Sequence, residues 1–319
     1  MEIQVSGLSA AKGGASHKHI RIVSPSGHID PSLIDSARLL LENQGWQVSE
    51  GCYARGEYGR FAGTKEERAT DLLEAFADDS VDVVLCARGG YGLQQIIDRV
   101  ADGLAAIRQK RTLPLLVGFS DITCLHSVLG TMGEPSVHGM MCKAGTLPPD
   151  NEDVRTWLQV IDGELPVYRL PSNRLDREGE ARGRLIGGNL SVLYGLQGTP
   201  WSLEQICRKN KEEGRGSILF VEDICERHYH IDRMMQNLRL SGVLGMINGL
   251  IVGQMTDIEE DEEMGCAVSE TIKQAVEEYD IPLLSGFPAG HDSPNYPLWM
   301  NREAALTVGK TWSELVFVG

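Results

Sequence analysis

A chain of 319 residues, 42% of them hydrophobic and 24% charged, carries enough apolar material for one large or two medium cores. Its formal net charge of −15 excludes a protein built to grip a phosphate backbone, because that affinity comes from Lys and Arg. No stretch reaches the ~18 consecutive apolar residues of a membrane-spanning helix, and the first twenty residues hold no apolar run of signal-peptide length. The expectation is a cytoplasmic protein with neither a nucleic acid nor a membrane as partner.

The first half alternates two periodicities. Residues 19–27, HIRIVSPSG, form a short apolar run ending in Pro and Gly. Residues 31–45 space their apolar side chains as a helix does, with Pro31 near the start and Gly45 as a stop. Thr64 with Glu67 makes a capping box for a second helix running to about Ala77. VDVVLCA (81–87) and LPLLVGF (113–119) read as strands buried on both faces, and each is followed by a helical segment, 92–100 and 121–132. Such alternation predicts βαβ units around a parallel sheet.

The pattern loosens after residue 150. Residues 169–184 are polar and charged and read as a linker. Beyond them come SILFVE (217–222), a helical stretch at 230–242, LIVGQMTD (250–257), a helix near 268–279, IPLLSGF (281–287) and two short terminal strands. The acidic run 257–263 reads as a solvated helix start. The fold class is therefore α/β: a flavodoxin-like parallel-sheet domain over 1–168, and a C-terminal mixed α/β domain rich in short strands over 185–319.

Four places could carry chemistry. Ser120, in Gly118-Phe119-Ser120-Asp121, leaves a buried strand for a helix, the setting of a nucleophile elbow, although Ile122 stands where G-x-S-x-G has its second Gly. It could equally cap its helix. Arg88-Gly89-Gly90-Tyr91-Gly92 follows another buried strand and can turn N–H groups toward an anion, or be a plain tight turn. Glu222, at the end of SILFVE, can orient a histidine or serve as a surface ion pair. His291 lies in the Pro- and Gly-containing loop 286–292. As general base, His126, His138 and His291 rank nearly level on chemistry alone. The pairs His17/His19 and His228/His230 lack an evident third ligand, so neither metal nor cofactor is expected. Seven cysteines, an odd number without C-x-x-C, suit neither a disulfide framework nor zinc, and leave Cys86 and Cys124 as outside options for a thiol nucleophile.

Taken together, RFAGTKEER (60–68), ARGGYG (87–92), VGFSD (117–121), IGGNLSVL (186–193), GTPW (198–201), LFVEDICE (219–226), IDRMMQNL (231–238) and GFPAGH (286–291) resemble the LD-carboxypeptidase, or muramoyltetrapeptide carboxypeptidase, family. The resemblance implies an N-terminal domain carrying the nucleophile and a C-terminal domain supplying Glu and His. It implies Ser120 as nucleophile, Glu222 as orienting carboxylate and His291 as base, which separates the three histidines. It further implies a cytoplasmic murein tetrapeptide as substrate, cut between an L-centre and a terminal D-alanine for cell-wall recycling. On that mechanism the N–H groups of Gly90 and Asp121 are oxyanion-hole candidates, and Arg88 and Tyr91 are candidates for binding substrate, Arg88 having a structural ion pair as its alternative. A related branch resembling microcin-immunity peptidases, which cut peptidyl or acyl nucleotides, is the first alternative. A nucleotide-dependent enzyme and a non-catalytic small-molecule binding protein are the others. A homodimer stays open.

Overall fold

The computed structural model describes residues 2–6 and 18–318; His17 lies outside the described residues. The described strands are β1 (Glu2–Ser6), β2 (His19–Val23), β3 (Gln47–Glu50), β4 (Val83–Cys86), β5 (Leu115–Gly118), β6 (Ser136–His138), β7 (Leu165–Pro171), β8 (Gly179–Asn189), β9 (Ser217–Ile224), β10 (Gly249–Thr256), β11 (Leu283–Ser285), β12 (Leu298–Met300), β13 (Glu303–Val308) and β14 (Trp312–Phe317).

The branched apolar runs of the first half become the middle of a six-stranded sheet in the order β12-β6-β5-β4-β2-β3. β2 to β6 are parallel to one another, and their order is the flavodoxin-like one. β4 explains why such runs lack alternation: Val83 and Leu85 join one apolar cluster, while Val84 and Cys86 join another on the opposite face. Helix Lys65–Ala77 starts at the expected box, with the Thr64 hydroxyl accepting from the Glu67 N–H and the Glu67 carboxylate accepting from the Thr64 N–H. Strand order reverses between β2 and β4. The loops 24–27 and 87–92 leave the carboxyl ends of these two strands, where open α/β sheets keep their ligands.

The second sheet has eight strands, β1-β7-β14-β13-β8-β9-β10-β11. β8 to β11 are parallel, and the other four pair antiparallel. Two strands cross between halves: β1 sits at the edge of this second sheet, and β12 pairs antiparallel with β6 in the first. Of the segment read as a linker, 169–184, only residues 172–178 lie between strands; the rest belongs to β7 and β8. Both strands alternate buried with exposed side chains near these ends, so their polar face concealed them in the sequence. One apolar cluster joins Ile20 and Val117 of the first sheet with Leu185, Phe220 and Leu315 of the second, so the sheets share a core. In the acidic run, the Glu260 carboxylate accepts from the Val268 N–H at the start of helix Val268–Ala275. No helix among the described residues is long and apolar enough to cross a membrane.

Candidate active site

Ser120 leaves the carboxyl end of β5 with φ 66°, a left-handed conformation that costs a non-glycine residue about 1–2 kcal/mol. Ile122, where the usual second glycine would stand, packs over Gly118: a Cβ on Gly118 would lie 2.9 Å from Ile122 Cγ1, so glycine is needed two residues before the serine. Helix Thr123–Met132 has no side-chain cap, so Ser120 does not take the capping role. Gly89 approaches from the neighbouring loop. A Cβ there would lie 2.8 Å from Ser120 Cβ and 3.1 Å from Phe119 O, closer than side chains pack. Gly90, at φ 103°, keeps an N–H with no partner among the described residues. The Asp121 side chain is 3% exposed and turns inward, away from solvent, to accept from the Ser26 hydroxyl at 2.7 Å and the Leu93 N–H at 3.0 Å.

Glu222 sits near the end of β9 with 0% exposure, and His291 lies in the loop after β11. His291 Nδ1 is 2.7 Å from Glu222 Oε2. The His291 ring lies 4.9 Å, centroid to centroid, from Phe119, the residue before Ser120. Thus the carboxyl ends of parallel strands in both sheets bring Ser120, Glu222 and His291 into one region. The histidine loop is clamped by a residue that no sequence signal singled out. Gln254, on β10, donates its N–H to Ala289 O and its Nε2–H to Pro294 O, and accepts at Oε1 from the Asp292 N–H. Gly290 fits because a Cβ would meet Gln254 Cβ at 2.9 Å.

Asp223, next to Glu222, faces the other side of β9. Its oxygens accept from Asn189 Nδ2 at 3.0 Å, the Ser191 N–H at 2.8 Å and its neighbour's Ile224 N–H at 2.9 Å. Burial outweighs these bonds and, with the Glu222 charge adding to it, pushes the carboxyl up to about 7. Asn189 in turn donates its backbone N–H to Thr123 Oγ1 at the start of the helix after Ser120. The Gly-Gly-Asn-Leu-Ser string thus links the two sheets, a role its turn-like composition could have suggested.

The other sequence candidates separate cleanly. His126 is buried, with its nitrogens against Ser136 Oγ and Gly118 O, and burial depresses it to about 4. His138 is 0% exposed, has no hydrogen-bond partner among the described residues, and is held well below the usual imidazole range by burial. Cys86 and Cys124 are buried with thiols pushed up by desolvation, the opposite of an activated thiolate. His228 is buried against Thr271 Oγ1 at 2.7 Å. His19 lies in β2, with Nε2 on Ser49 Oγ. Arg88 is exposed and makes no ion pair among the described residues; it donates to His28 O at 2.9 Å, which leaves other guanidinium donors available beside the glycine turn. Tyr91 is 43% exposed, with Arg60 over its ring at 5.7 Å. Among the described residues, one group of metal-type side chains has its ligand atoms within 4.8 Å of one another: Cys52, Asp71 and Glu74. Both Asp71 oxygens there already accept backbone N–H groups, from Cys52 and Tyr53.

Two family models match the chain, the LD-carboxypeptidase N-terminal domain over residues 20–139 and the LD-carboxypeptidase C-terminal domain over 182–306. A probable murein peptide carboxypeptidase of Bacillus subtilis is 32% identical over 300 residues, covering 91% of this chain and 89% of the relative. This chain belongs to the LD-carboxypeptidase family. Membership makes it a carboxypeptidase of a serine peptidase family. The murein tetrapeptide carboxypeptidase of Pseudomonas aeruginosa is 29% identical over 292 residues, covering 86% of this chain and 89% of its own. The crystal structure of muramoyltetrapeptide carboxypeptidase from Oxalobacter formigenes superposes with a TM-score of 0.81 at 26% identity, over 95% of this chain and 99% of that one. MccF in complex with glutamyl sulfamoyl guanosine shares the fold, with a TM-score of 0.76 at 18% identity over 95% and 96% of the two chains.

Proposed function

We propose that this carboxypeptidase acts on murein tetrapeptides in the cytoplasm, releasing the terminal D-alanine from an L-centre through a Ser120–His291–Glu222 unit. The observation that carries the reading is the 2.7 Å bond from His291 to the buried Glu222, set beside a serine held at φ 66°. With Nδ1–H donated to Glu222, the lone pair of His291 Nε2 is free to take the Ser120 proton as Oγ attacks the scissile carbonyl carbon. Glu222 stabilises the imidazolium so formed. The carbonyl oxygen, now an anion, receives the N–H groups of Gly90 and Asp121. Collapse of the tetrahedral intermediate breaks the C–N bond, and the imidazolium proton leaves with the amine of D-alanine. Water, deprotonated by the same imidazole, then hydrolyses the Ser120 ester and regenerates the hydroxyl.

A carboxypeptidase must also hold the free carboxylate of its substrate. Arg88, exposed beside Gly90, and Tyr91 are the side chains assigned to it. The murein assignment draws on the relatives from Bacillus subtilis, Pseudomonas aeruginosa and Oxalobacter formigenes. Cleavage of peptidyl nucleotides draws on likeness of fold alone. Incubation with a defined tetrapeptide stem, followed by mass detection of D-alanine and tripeptide, tests the proposal. Release by the wild type and none by Ser120→Ala is the expected result; intact tetrapeptide with both proteins would overturn it.

A further inference from the structure

The glycine turn needs something to hold it. Gly90 at φ 103° and Gly92 at φ 136° are residues whose backbone is free to take many other conformations, yet an oxyanion donor must be fixed before the reaction begins. What fixes the turn lies behind it. Arg68, on helix Lys65–Ala77, is 1% exposed, and its guanidinium reaches three separate segments. Nη1 donates to Pro25 O at 2.6 Å and Gly92 O at 3.0 Å, Nε to Gly63 O at 3.2 Å, and Nη2 to Gln95 Oε1 at 3.2 Å. The face of the Phe61 ring covers it, at 4.8 Å. Gly92 is the residue that admits it, since a Cβ there would stand 2.8 Å from Arg68 Nη1.

The Asp121 carboxylate grips the same two loops from the other side. It accepts from the Leu93 N–H, while Arg68 holds the Gly92 carbonyl. Those two groups belong to one peptide unit, so the 92–93 peptide has its oxygen on a buried cation and its N–H on a buried anion. The loop after β2 is held likewise, with Pro25 O on Arg68 and the Ser26 hydroxyl on Asp121. That loop closes the circuit by donating the Gly27 N–H to Gly89 O at 3.2 Å. The turn bearing the Gly90 N–H is thereby tied at both ends, and one tie runs through the residue that follows Ser120.

We propose that Arg68 is a positioning residue which, with the Asp121 carboxylate, orients the glycine turn so that the Gly90 N–H meets the oxyanion. The inference rests on the Ser120 reading above. Arg68 touches no substrate. Charge-assisted bonds from the three nitrogens of a planar guanidinium to several carbonyls fix orientation in a way that a lysine, whose donors all sit on one rotating nitrogen, cannot reproduce. Arg68→Lys and Arg68→Met should therefore both lower kcat, by roughly 10- to 100-fold, less than the ~10²–10³ lost when an oxyanion donor is removed outright, because the Gly90 N–H is displaced and not deleted.

A general loosening of the fold would weaken every ligand together, whereas a misplaced N–H weakens only what carries the developing charge. The test uses a peptide boronic acid in which boron replaces the scissile carbonyl carbon, so that addition of Ser120 Oγ makes a tetrahedral anion. Its affinity should drop at least 10-fold in Arg68→Lys. Tetrapeptide binding, measured by calorimetry in a Ser120→Ala background, should change less than about 3-fold on adding the same substitution. Ser26→Ala removes only the 2.7 Å bond to Asp121 and should reproduce the split at smaller size, about 3- to 10-fold, even should the Arg68 variants fail to fold. A fluorophosphonate separates the two levels of the argument. A mass adduct on Ser120 of the wild type, with boronate and substrate affinities falling in parallel or not at all in the variants, overturns the Arg68 assignment alone. No adduct on Ser120 overturns the serine reading and this inference with it.

Discussion

Replacing Glu222 by Gln probes the buried carboxylate with little change of shape. The side chain is fully buried, one oxygen lies 2.7 Å from His291 Nδ1, and the other has no partner among the described residues. Two losses follow from the substitution. The first is charge: a carboxylate and an imidazolium whose centres are about 4 Å apart attract by about 4 kcal/mol at an effective dielectric constant near 20, a factor of about 10³ in rate. The second is tautomer. If the amide turns its NH2 toward Nδ1, that nitrogen must accept, the ring proton moves to Nε2, and the base has no lone pair for Ser120. The comparable change in a Ser-His-Asp unit costs about 10⁴. The expected fall in kcat/KM is therefore about 10³ to 10⁴, read as D-alanine release in an assay coupled to a D-amino-acid oxidase. Folding is the control. Gln keeps a hydrogen bond to His291 without a buried charge, so the melting temperature should hold or rise. Glu222→Gln retaining activity within about 10-fold of wild type would refute the role given to this carboxylate.

Ser120 supplies a second test: Ser120→Gly should relieve the φ 66° strain and raise stability by about 1 kcal/mol, while Ser120→Ala keeps the strain; both should lose roughly 10⁴ or more in activity. Equal melting temperatures for the two variants would remove the strain argument. Gly89→Ala places a methyl 2.8 Å from Ser120 Cβ and should lower kcat/KM at least 100-fold, whereas a near-normal rate would mean that the loop yields freely. Asp223 gives a pH test. Its folded carboxyl keeps the proton up to about 7, while the unfolded chain releases it near ~3.9, so this residue favours folding below about pH 4 and that contribution is lost as pH rises to 7. Asp223→Asn, which does not titrate, should therefore compare better with wild type in urea denaturation at pH 8 than at pH 5; an equal difference at both would contradict the assignment.

Much of the first sheet could be read in advance because its strands are buried on both faces and announce themselves as continuous apolar runs. β7 and β8 have one face toward solvent near their facing ends, and Arg169 or Arg182 interrupts the run, so residues 169–171 and 179–184 passed for a linker. Pairing between distant segments left no local trace at all: nothing in residues 298–300 says that they belong beside β6. At the site, the residues at strand ends were visible, since strand-to-loop transitions are written in apolar runs and glycines. The supports were not. Gln254 makes three bonds to the histidine loop from an unremarkable position in β10, and Asp223 and Arg68 act from the interior, where a polar residue reads in sequence as a surface one. Periodicity could not decide between His126, His138 and His291, because the deciding quantities are burial and the distance to Glu222.

The placement of β12 has a consequence for how the polypeptide is made. β6 ends at residue 138, and the strand that covers its open edge spans 298–300, close to the end of a 319-residue chain. On a ribosome adding about 5–20 residues per second, that edge waits roughly 8–30 s for its partner. Throughout this interval an emerging first sheet presents bare N–H and C=O groups at one side, a surface open to pairing with a neighbouring nascent chain. Slower translation of the second half would lengthen the exposure, and a chain truncated before residue 298 would never end it. Such a fragment should seek chaperones or form inclusion bodies even though every residue of its own apolar runs is intact.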